Sequence, residues 1–194
     1  MSNADFEALY QADPDPWSYL TSDYERDKYQ ATLAACTRGR AAPFTTALEL
    51  GASIGAFTAR LAPACRSLIT VDASPTAVAD ARRRLLGLPH VTSLLGVIPD
   101  AIPLQSFELV VASEILYYLA PVDLSDTLDR LGRCLGPQGR LVAVHWRPAG
   151  PERPFTAAEV HARLHDTPWL APVAMQHTDD YLLDVFERRG EPCR

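Results

Sequence analysis

Two features in the first half of the chain have the residue types and spacing of a nucleoside-binding site. The first is the segment Glu49-Leu50-Gly51-Ala52-Ser53-Ile54-Gly55, which follows an apolar run and precedes a predicted helix. The second is Asp72, a single acid that ends the next apolar run, about twenty residues further on. A tight turn of small residues at a helix N-terminus can bind the polar end of a ligand, and an acid after the next strand can accept hydrogen bonds from both hydroxyls of a ribose. The spacing therefore predicts a nucleoside-cofactor pocket.

The acid at the start of the turn favours S-adenosyl-L-methionine over a dinucleotide. Dinucleotide folds use Gly-x-Gly-x-x-Gly, which lets the backbone approach a pyrophosphate. Here Ser53 takes the place of the middle glycine. Glu49 would be repelled by a pyrophosphate but attracted by the ammonium and sulfonium groups of S-adenosylmethionine. We expect Gly51 and Gly55 to adopt positive φ and to allow close approach of the ligand. The alternative to a cofactor-binding segment is an ordinary turn between a strand and a helix, for which small residues suffice.

The elements needed to position these residues are those of a doubly wound α/β fold. Apolar runs predict five parallel strands, at residues 45–50, 67–72, 91–95, 107–113 and 140–146. Helices are predicted at 5–12, 22–36, 55–61, 74–86 and 124–135, and from 155 onward. Residues 173–177 and 181–187 predict an antiparallel hairpin. The result is a mostly parallel, seven-stranded, Rossmann-like sheet with a C-terminal antiparallel hairpin, which is the plan of class I methyltransferases.

Two local sequence patterns predict where helices begin and end. Ser22 and Glu25 have the spacing of a capping box, which would begin the second helix. Gly136-Pro137 is typical of a helix C-terminus, so we expect the helix over 124–135 to stop there.

Chain length and net charge limit the number of domains and the kind of partner that we expect. The 194 residues, 47% of them hydrophobic, suit a single domain. We expect an N-terminal helical lid over 1–43, a cofactor-binding core over 44–146, and an acceptor-side loop, helix and hairpin over 147–194. The net charge of −6 argues against nucleic acid as the main partner, because phosphate binding needs a concentrated basic face.

Cysteine usage and hydropathy lead us to expect a cytoplasmic protein without a metal site. Cys36, Cys65, Cys134 and Cys193 are widely spaced, with no Cys-x-x-Cys and no Cys/His cluster, which is typical of reduced thiols. No apolar stretch approaches the roughly 20 residues of a membrane span, and the N-terminus lacks the pattern of a signal peptide.

Further cofactor contacts are predicted where the parallel strands end, because ligands of such sheets bind outside their carboxyl ends. These residues are Ala73 and Ser74 after the second strand, Val97 and Ile98 after the third, and Ser113 after the fourth. Ile98 would pack on the adenine face. Trp17, which follows two Asp-Pro steps, and Tyr24 would cover the cofactor as parts of a lid, although either ring could equally fill space between a helix and the sheet.

The acceptor side requires less chemistry. Methyl transfer from a sulfonium is a direct displacement, so alignment of the reacting groups supplies much of the acceleration. An amine acceptor must also lose a proton, which a nearby carboxylate or imidazole can assist. Glu114 and His145 are the candidates for this role, and Tyr117 or Tyr118 could orient the acceptor by hydrogen bonding. Alternatively, Glu114 could be a charge at a strand end that only meets solvent, and His145 could be a histidine with a purely structural role at the end of a strand.

Several segments in order give the chain a resemblance to a known family. These are Asp-Pro-Asp-Pro-Trp, Thr-Ser-x-Tyr-Glu-x-x-Lys-Tyr, Leu-Glu-Leu-Gly-Ala-Ser-Ile-Gly, Ser-Glu-Ile-Leu-Tyr-Tyr-Leu and His-Trp-Arg-Pro, within residues 5–188. They resemble the nodulation protein S family of S-adenosylmethionine-dependent N-methyltransferases. The resemblance implies methylation of a deacetylated amino-sugar nitrogen, with Glu49, Gly51, Ser53, Gly55 and Asp72 holding the cofactor and the segment 113–118 facing the acceptor. Two departures are Ala52, where cysteine is common in the family, and Val97, where an acid is common.

These observations predict an enzyme that methylates an amine on a small acceptor, such as an amino sugar or a glycosylated metabolite, and releases S-adenosyl-L-homocysteine. The alternatives are a small-molecule O- or S-methyltransferase and a non-catalytic cofactor-binding partner subunit, and a dehydrogenase is more distant. We expect a monomer or a weak homodimer, with neither nucleic acid nor membrane as a partner.

Overall fold

The computed structural model describes residues 1–148 and 150–190. Within them, seven strands are β1 (Ala47–Leu50), β2 (Leu68–Asp72), β3 (Val91–Leu95), β4 (Phe107–Ser113), β5 (Leu135–Trp146), β6 (Leu170–His177) and β7 (Tyr181–Arg188). Six α-helices are α1 (Asn3–Ala12), α2 (Asp23–Thr37), α3 (Ala56–Leu61), α4 (Pro75–Arg84), α5 (Pro121–Cys134) and α6 (Ala157–His165). Two short 3₁₀ turns cover Ala62–Ala64 and Leu116–Tyr118.

The strands form one sheet in the order β3-β2-β1-β4-β5-β7-β6. The first five are parallel, and β7 pairs antiparallel with both β5 and β6. The predicted mostly parallel sheet with a C-terminal antiparallel hairpin is therefore confirmed. The chain order reverses between β1 and β4, so the crevice for a ligand opens at the carboxyl ends of those two strands.

Hydrophobic packing on both faces explains the apolar strands. One buried cluster contains Leu48, Val110 and Phe186, and the other contains Leu68, Val111 and Val142. Alternate residues of β4 point to opposite faces, so Val110 and Val111 belong to different clusters. All seven residues of β4 except Glu108 and Ser113 are buried, as expected for a central parallel strand.

The predicted end of the helix over 124–135 is confirmed to within one residue, but the strand that follows begins at residue 135 instead of the predicted 140. Helix α5 ends at Cys134, and β5 begins at the next residue, so Gly136 and Pro137 lie inside the strand. Leu135 pairs with Phe107, and the register between β4 and β5 then shifts before Arg140 pairs with Leu109. The irregularity at the start of the strand accommodates the proline, which cannot donate to a regular ladder.

The predicted capping box at the start of α2 is only half formed. The hydroxyl of Ser22 accepts a hydrogen bond from the backbone N–H of Glu25 at 3.3 Å. The Glu25 carboxylate does not return to the backbone of Ser22, because it accepts from the ammonium group of Lys28 instead, at 3.0 Å. A side chain that the sequence assigns to local capping thus takes part in a tertiary ion pair.

Cys36, Cys65 and Cys134 are buried free thiols, and Cys193 lies outside the described residues. In the part of the chain that the structure describes, no helix combines the length and apolar character needed to cross a bilayer. The subdivision at 43 and 146 stays a prediction.

Candidate active site

A cavity of about 420 Å³ opens where β1, β2 and β4 end, beneath the N-terminal segment. Eleven of the fifteen predicted site residues line it: Trp17, Tyr24, Gly51, Ser53, Asp72, Ala73, Val97, Ile98, Ser113, Glu114 and Tyr117. The four others, Glu49, Gly55, Ser74 and His145, do not line this cavity. The topology therefore brings most of the predicted residues to one place.

The turn after β1 is held to the end of β2 by the Asp72 carboxylate. One carboxylate oxygen accepts from the backbone N–H of Ser53 at 2.7 Å, and the other accepts from that of Ser74 at 2.9 Å. Burial raises the pKa of Asp72, although these backbone donors oppose the shift. Gly51 has a φ of 67°, and a Cβ added there would lie 3.0 Å from the Cβ of Ile115. Glycine is needed at this position for both reasons.

Glu49 lies directly behind the cavity rather than in its wall. Its side chain adjoins a small void of about 20 Å³, which Ser53, Ser113 and Glu114 also line. The Oε2 atom of Glu49 is buried and has no hydrogen-bond partner among the described residues. Burial raises the pKa of this carboxyl group to about 8. A buried carboxylate with an unused oxygen is costly unless a ligand, a water molecule or a proton satisfies it.

Glu114 is the charged group at the centre of the acceptor side. It has a φ of 56°, a conformation that non-glycine residues seldom adopt and that is typical of functional turns. Its Oε1 accepts from the Lys28 ammonium at 2.8 Å. Its Oε2 accepts from the Trp146 backbone N–H at 2.9 Å and from the Tyr117 hydroxyl. Three donors thus orient the carboxylate, and Oε1 retains capacity for one more.

Lys28 joins helix α2 to this carboxylate and is a residue that sequence reasoning missed. Its side chain is only 2% exposed and also contacts Glu25, with 3.0 Å between the ammonium nitrogen and Oε1. Burial disfavours the ammonium form, but Glu114 and Glu25 together raise the pKa of Lys28 above its ordinary value. The spacing of Glu25 and Lys28, three residues apart on a helix, was the available indication of an ion pair.

Tyr117 orients Glu114 and is itself held by packing. Its ring is buried, and the guanidinium of Arg153 lies 4.6 Å from the ring centroid. Burial raises the pKa of Tyr117 well above its ordinary value, so its hydroxyl keeps the proton that it donates to Glu114. The same guanidinium lies 5.2 Å from the Trp146 ring, which is 41% exposed at the rim of the cavity.

The N-terminal segment contributes an aromatic wall. Trp17 stacks on Tyr19 with ring centroids 5.7 Å apart, and Tyr10 donates its hydroxyl proton to the Ser53 hydroxyl. Phe6 packs edge-on against Tyr118 at 4.9 Å. Phe6, Tyr10, Tyr19 and Tyr118 all line the cavity, and the sequence did not single out the first three. The sequence predicted a helix over 5–12 but not the surface that this helix would cover.

Helix α1 is anchored by a second unforeseen contact, which occupies the hydroxyl of Ser74. Glu7 accepts from the hydroxyls of Ser74 and Thr76, both at 2.6 Å, at the N-terminus of α4. Ser74 is 1% exposed, and its hydroxyl also caps α4 by accepting from the N–H of Ala77 at 3.0 Å. The structure therefore assigns the Ser74 hydroxyl to helix capping and to the bond with Glu7, and a cofactor contact by this residue stays a prediction.

Gly55 and His145 also fall outside the ligand site. A Cβ at Gly55 would lie 3.2 Å from Ala81, so this glycine, with a φ of 77°, permits α3 to approach α4. His145 is fully buried and uses both ring nitrogens: Nε2 accepts from the backbone N–H of Leu116 at 3.2 Å, and Nδ1 lies 3.0 Å from His161. The prediction of His145 as a base facing the acceptor is wrong, because it lacks both access and a free nitrogen.

Comparison with known proteins supports the sequence resemblance. A family model described as nodulation protein S matches residues 5–149. Nodulation protein S of Sinorhizobium fredii is 34% identical over 130 residues, which are 66% of this chain and 59% of the relative. The one from Rhizobium tropici is 33% identical over 141 residues, which are 72% and 58% of the two chains. The chain thus spans a little under 60% of the length of these two relatives.

Solved structures show the same architecture. The N-methyltransferase NodS of Bradyrhizobium japonicum WM9, crystallised with S-adenosyl-L-homocysteine, has a TM-score of 0.88 and 26% identity, with 98% of this chain and 100% of that chain covered. A putative methyltransferase from Pseudomonas syringae has a TM-score of 0.74 and 36% identity, with 85% and 99% covered. The class I methyltransferase fold predicted from the strand pattern is confirmed.

Proposed function

Because the chain belongs to the nodulation protein S family, we propose that it is an S-adenosyl-L-methionine-dependent methyltransferase acting on an amine of a small acceptor. The observation that carries this proposal is the pairing of the Asp72 turn with the oriented carboxylate of Glu114 across one cavity. One feature serves a nucleoside and the other serves a nitrogen acceptor. The proposed reaction, methyl transfer to a nitrogen, is that of the related N-methyltransferase NodS.

The wall near β2 and β3 suits the adenosine part of the cofactor. Asp72 keeps lone pairs available for ribose hydroxyls after its two backbone bonds, since each carboxylate oxygen can accept more than one hydrogen bond. Ile98 offers an apolar surface to the adenine ring, and Val97 lies beside it. Trp17 also lines the cavity, and an aromatic face can attract a sulfonium by about 0.5–2 kcal/mol.

The unused oxygen of Glu49 fits the cationic end of the cofactor. This oxygen is buried without a partner behind the Gly51–Ser53 turn. The methionine ammonium, directly or through one water molecule, would supply the missing donor. A pyrophosphate in the same place would bring two negative charges towards a carboxylate, which electrostatics disfavours. The polar groups of this chain therefore suit S-adenosylmethionine better than a dinucleotide.

When bound, S-adenosylmethionine supplies an electrophilic methyl group, and the chain has to bring a neutral amine into line with it. We assign the remaining lone pair of Glu114 Oε1 to an N–H of the acceptor, so that the nitrogen lone pair points away from the carboxylate. Lys28 and Tyr117 fix the direction of that bond. Trp146 and Arg153 form the adjoining rim, which suits a ring that carries hydroxyl groups. An amino sugar or a glycosylated metabolite is the acceptor class that these groups favour.

Transfer of labelled methyl from S-adenosylmethionine tests the proposal. Wild type, Glu114→Gln and the control Glu108→Gln are compared on glucosamine oligosaccharides, phenols and thiols. Glu108 is a suitable control because it pairs with Arg40 on the surface, away from the cavity. We expect amine methylation to fall at least about tenfold in Glu114→Gln and to stay unchanged in the control, while both variants bind S-adenosylhomocysteine as wild type does.

Other outcomes identify the competing functions. Turnover restricted to phenols or thiols, unaffected by Glu114→Gln, would assign the chain to O- or S-methylation. Tight binding of S-adenosylhomocysteine without turnover on any acceptor would make it a cofactor-binding partner subunit.

A further inference from the structure

Three of the five histidines of this chain contact one buried carboxylate outside the cavity, and a fourth histidine contacts one of these three. Asp184 on β7 is fully buried and contacts His161 Nδ1 at 2.8 Å, His165 Nε2 at 2.9 Å and His177 Nε2 at 2.6 Å. His145 extends the cluster through its 3.0 Å contact with His161. The far end of this chain of contacts is the backbone N–H of Leu116, in the turn that carries Glu114 and Tyr117. The cluster therefore connects the antiparallel hairpin and α6 to the acceptor side of the cavity.

The backbone donor at Leu116 determines where the imidazole protons lie. A backbone N–H can only donate, so His145 Nε2 is unprotonated and His145 carries its proton on Nδ1. That proton is donated to His161 Nε2, which leaves the proton of His161 on Nδ1, facing Asp184. An imidazolium at His145 or at His161 would set two donors against each other. Both rings are therefore neutral and share the Nδ1–H form.

A metal ion is the competing interpretation of this cluster. The ligand atoms of His161, His177 and Asp184 all lie within 4.8 Å of one another, which is close enough for a divalent transition metal after small shifts. Coordination by His161 Nδ1 would require that nitrogen to lose its proton. The proton would have to move to Nε2, where it would meet the Nδ1–H of His145. The hydrogen bond from Leu116 thus disfavours a metal at His161.

We propose that His145 is a positioning residue, whose protonation form is set by the Leu116 N–H and is matched by His161 and Asp184, and whose Nε2 fixes the Glu114–Tyr117 turn for the acceptor. Two contacts carry this role. The Nε2 atom accepts from the backbone N–H of Leu116, two residues after Glu114. The imidazole ring packs edge-on against Tyr117, with ring centroids 4.9 Å apart. Glu114 has a positive φ, which a non-glycine residue keeps only when surrounding contacts hold it. The direction of its side chain therefore depends on contacts such as these. Only the kinetic consequence of this inference rests on the proposed function.

Nitrogen-15 spectra of the histidine side chains test the first half of the proposal directly in the wild-type protein. Long-range correlations separate protonated from unprotonated ring nitrogens, and His145→Gln and His161→Gln assign the signals. We expect His145 and His161 to be neutral with the proton on Nδ1 at pH 7. His90, whose Nε2 contacts the Ala62 carbonyl at 3.1 Å, serves as the histidine outside the cluster. An Nε2–H form or an imidazolium at either ring would overturn the proposal, as would a stoichiometric zinc ion bound by the purified protein.

Two substitutions of His145 test the second half. Glutamine places a side-chain oxygen near the position of Nε2 and can still accept from Leu116, whereas methionine fills the space and cannot. We expect the Leu116 amide to exchange with solvent at least tenfold faster in His145→Met and near the wild-type rate in His145→Gln. Equal protection of this amide in both variants would overturn the proposal, and the measurement requires no enzymatic activity.

Kinetics then separate positioning from general stability. All kinetics are measured below the unfolding temperature of each variant. We expect His145→Met to lose at least tenfold in kcat/KM for the acceptor, while its affinity for S-adenosylhomocysteine stays within twofold of wild type. We expect His145→Gln to recover the acceptor kcat/KM. Equal acceptor kinetics in the methionine variant would overturn the positioning role. A wild-type protein without turnover would instead refute the proposed function, and the exchange and nitrogen-15 results would still decide this inference.

Discussion

Replacement of Lys28 by methionine should destabilise the fold strongly, because it leaves two buried carboxylates without their shared cation. The Lys28, Glu25 and Glu114 side chains are 2%, 10% and 15% exposed, so water can replace little of the lost interaction. Removal of one partner from a buried ion pair costs about 3–5 kcal/mol. We therefore expect the free energy of unfolding in urea at pH 7 to fall by about that amount.

An exposed ion pair in the same helix provides the matched control. Arg26 contacts Asp23 three residues away, with side chains 54% and 82% exposed. Because exposed pairs contribute less than about 1 kcal/mol, Arg26→Met should leave the unfolding free energy nearly unchanged. Both substitutions introduce methionine into the same helix at nearby positions, so helix propensity changes little between them. The difference between their unfolding free energies therefore measures the effect of burying the ion pair.

A second substitution tests the reason for the loss. Burial already raises the pKa of Glu25 even though Lys28 opposes the shift. If an unpaired charge causes the destabilisation, Glu25→Gln should recover at least about 1 kcal/mol when combined with Lys28→Met, although it should itself destabilise the wild type. A loss below about 1 kcal/mol in Lys28→Met, or no recovery in the double variant, would refute the electrostatic explanation and assign Lys28 to simple packing.

Two further predictions concern the cofactor side. Asp72→Ala should weaken the binding of S-adenosylhomocysteine by about 1–3 kcal/mol, the scale of lost hydrogen bonds to a charged group, and unchanged affinity in calorimetry would contradict the ribose assignment. The Glu49 carboxyl has a pKa of about 8 in the folded protein against an ordinary 4.5, so the folded state binds the extra proton and stability should fall as the pH rises from 4.5 through 8. This loss is on the order of 5 kcal/mol, and urea unfolding at several pH values should show it in wild type but not in Glu49→Gln.

The fold was predictable from sequence because its determinants are mostly local. The apolar run at 107–113 and the helix predicted from residue 74 depend on neighbours along the chain, and the structure reproduces both. The early start of β5 has the opposite origin. Pairing of Leu135 with Phe107 extends the strand through a dipeptide whose local preference is to end a helix.

The candidate site was predictable to the extent that topology determines it. Residues after parallel strands must meet at one edge of the sheet, which is why Asp72, Ser113 and Glu114 line one cavity. The same rule failed for His145, although it stands near the end of β5. Contact with Leu116 and His161 turned its side chain into a buried network instead.

The sequence by itself determined the glycine-rich turn, the acid after the second strand and the order of strands, since a strand, a turn and a helix start are properties of adjacent residues. Only the tertiary structure decided that Lys28 binds a carboxylate 86 positions away and that Glu7 anchors the first helix to α4. It also decided the protonation of His145, through a single backbone N–H. These contacts depend on how separate elements pack, and side chains with the same local pattern can reach solvent or a distant partner equally well.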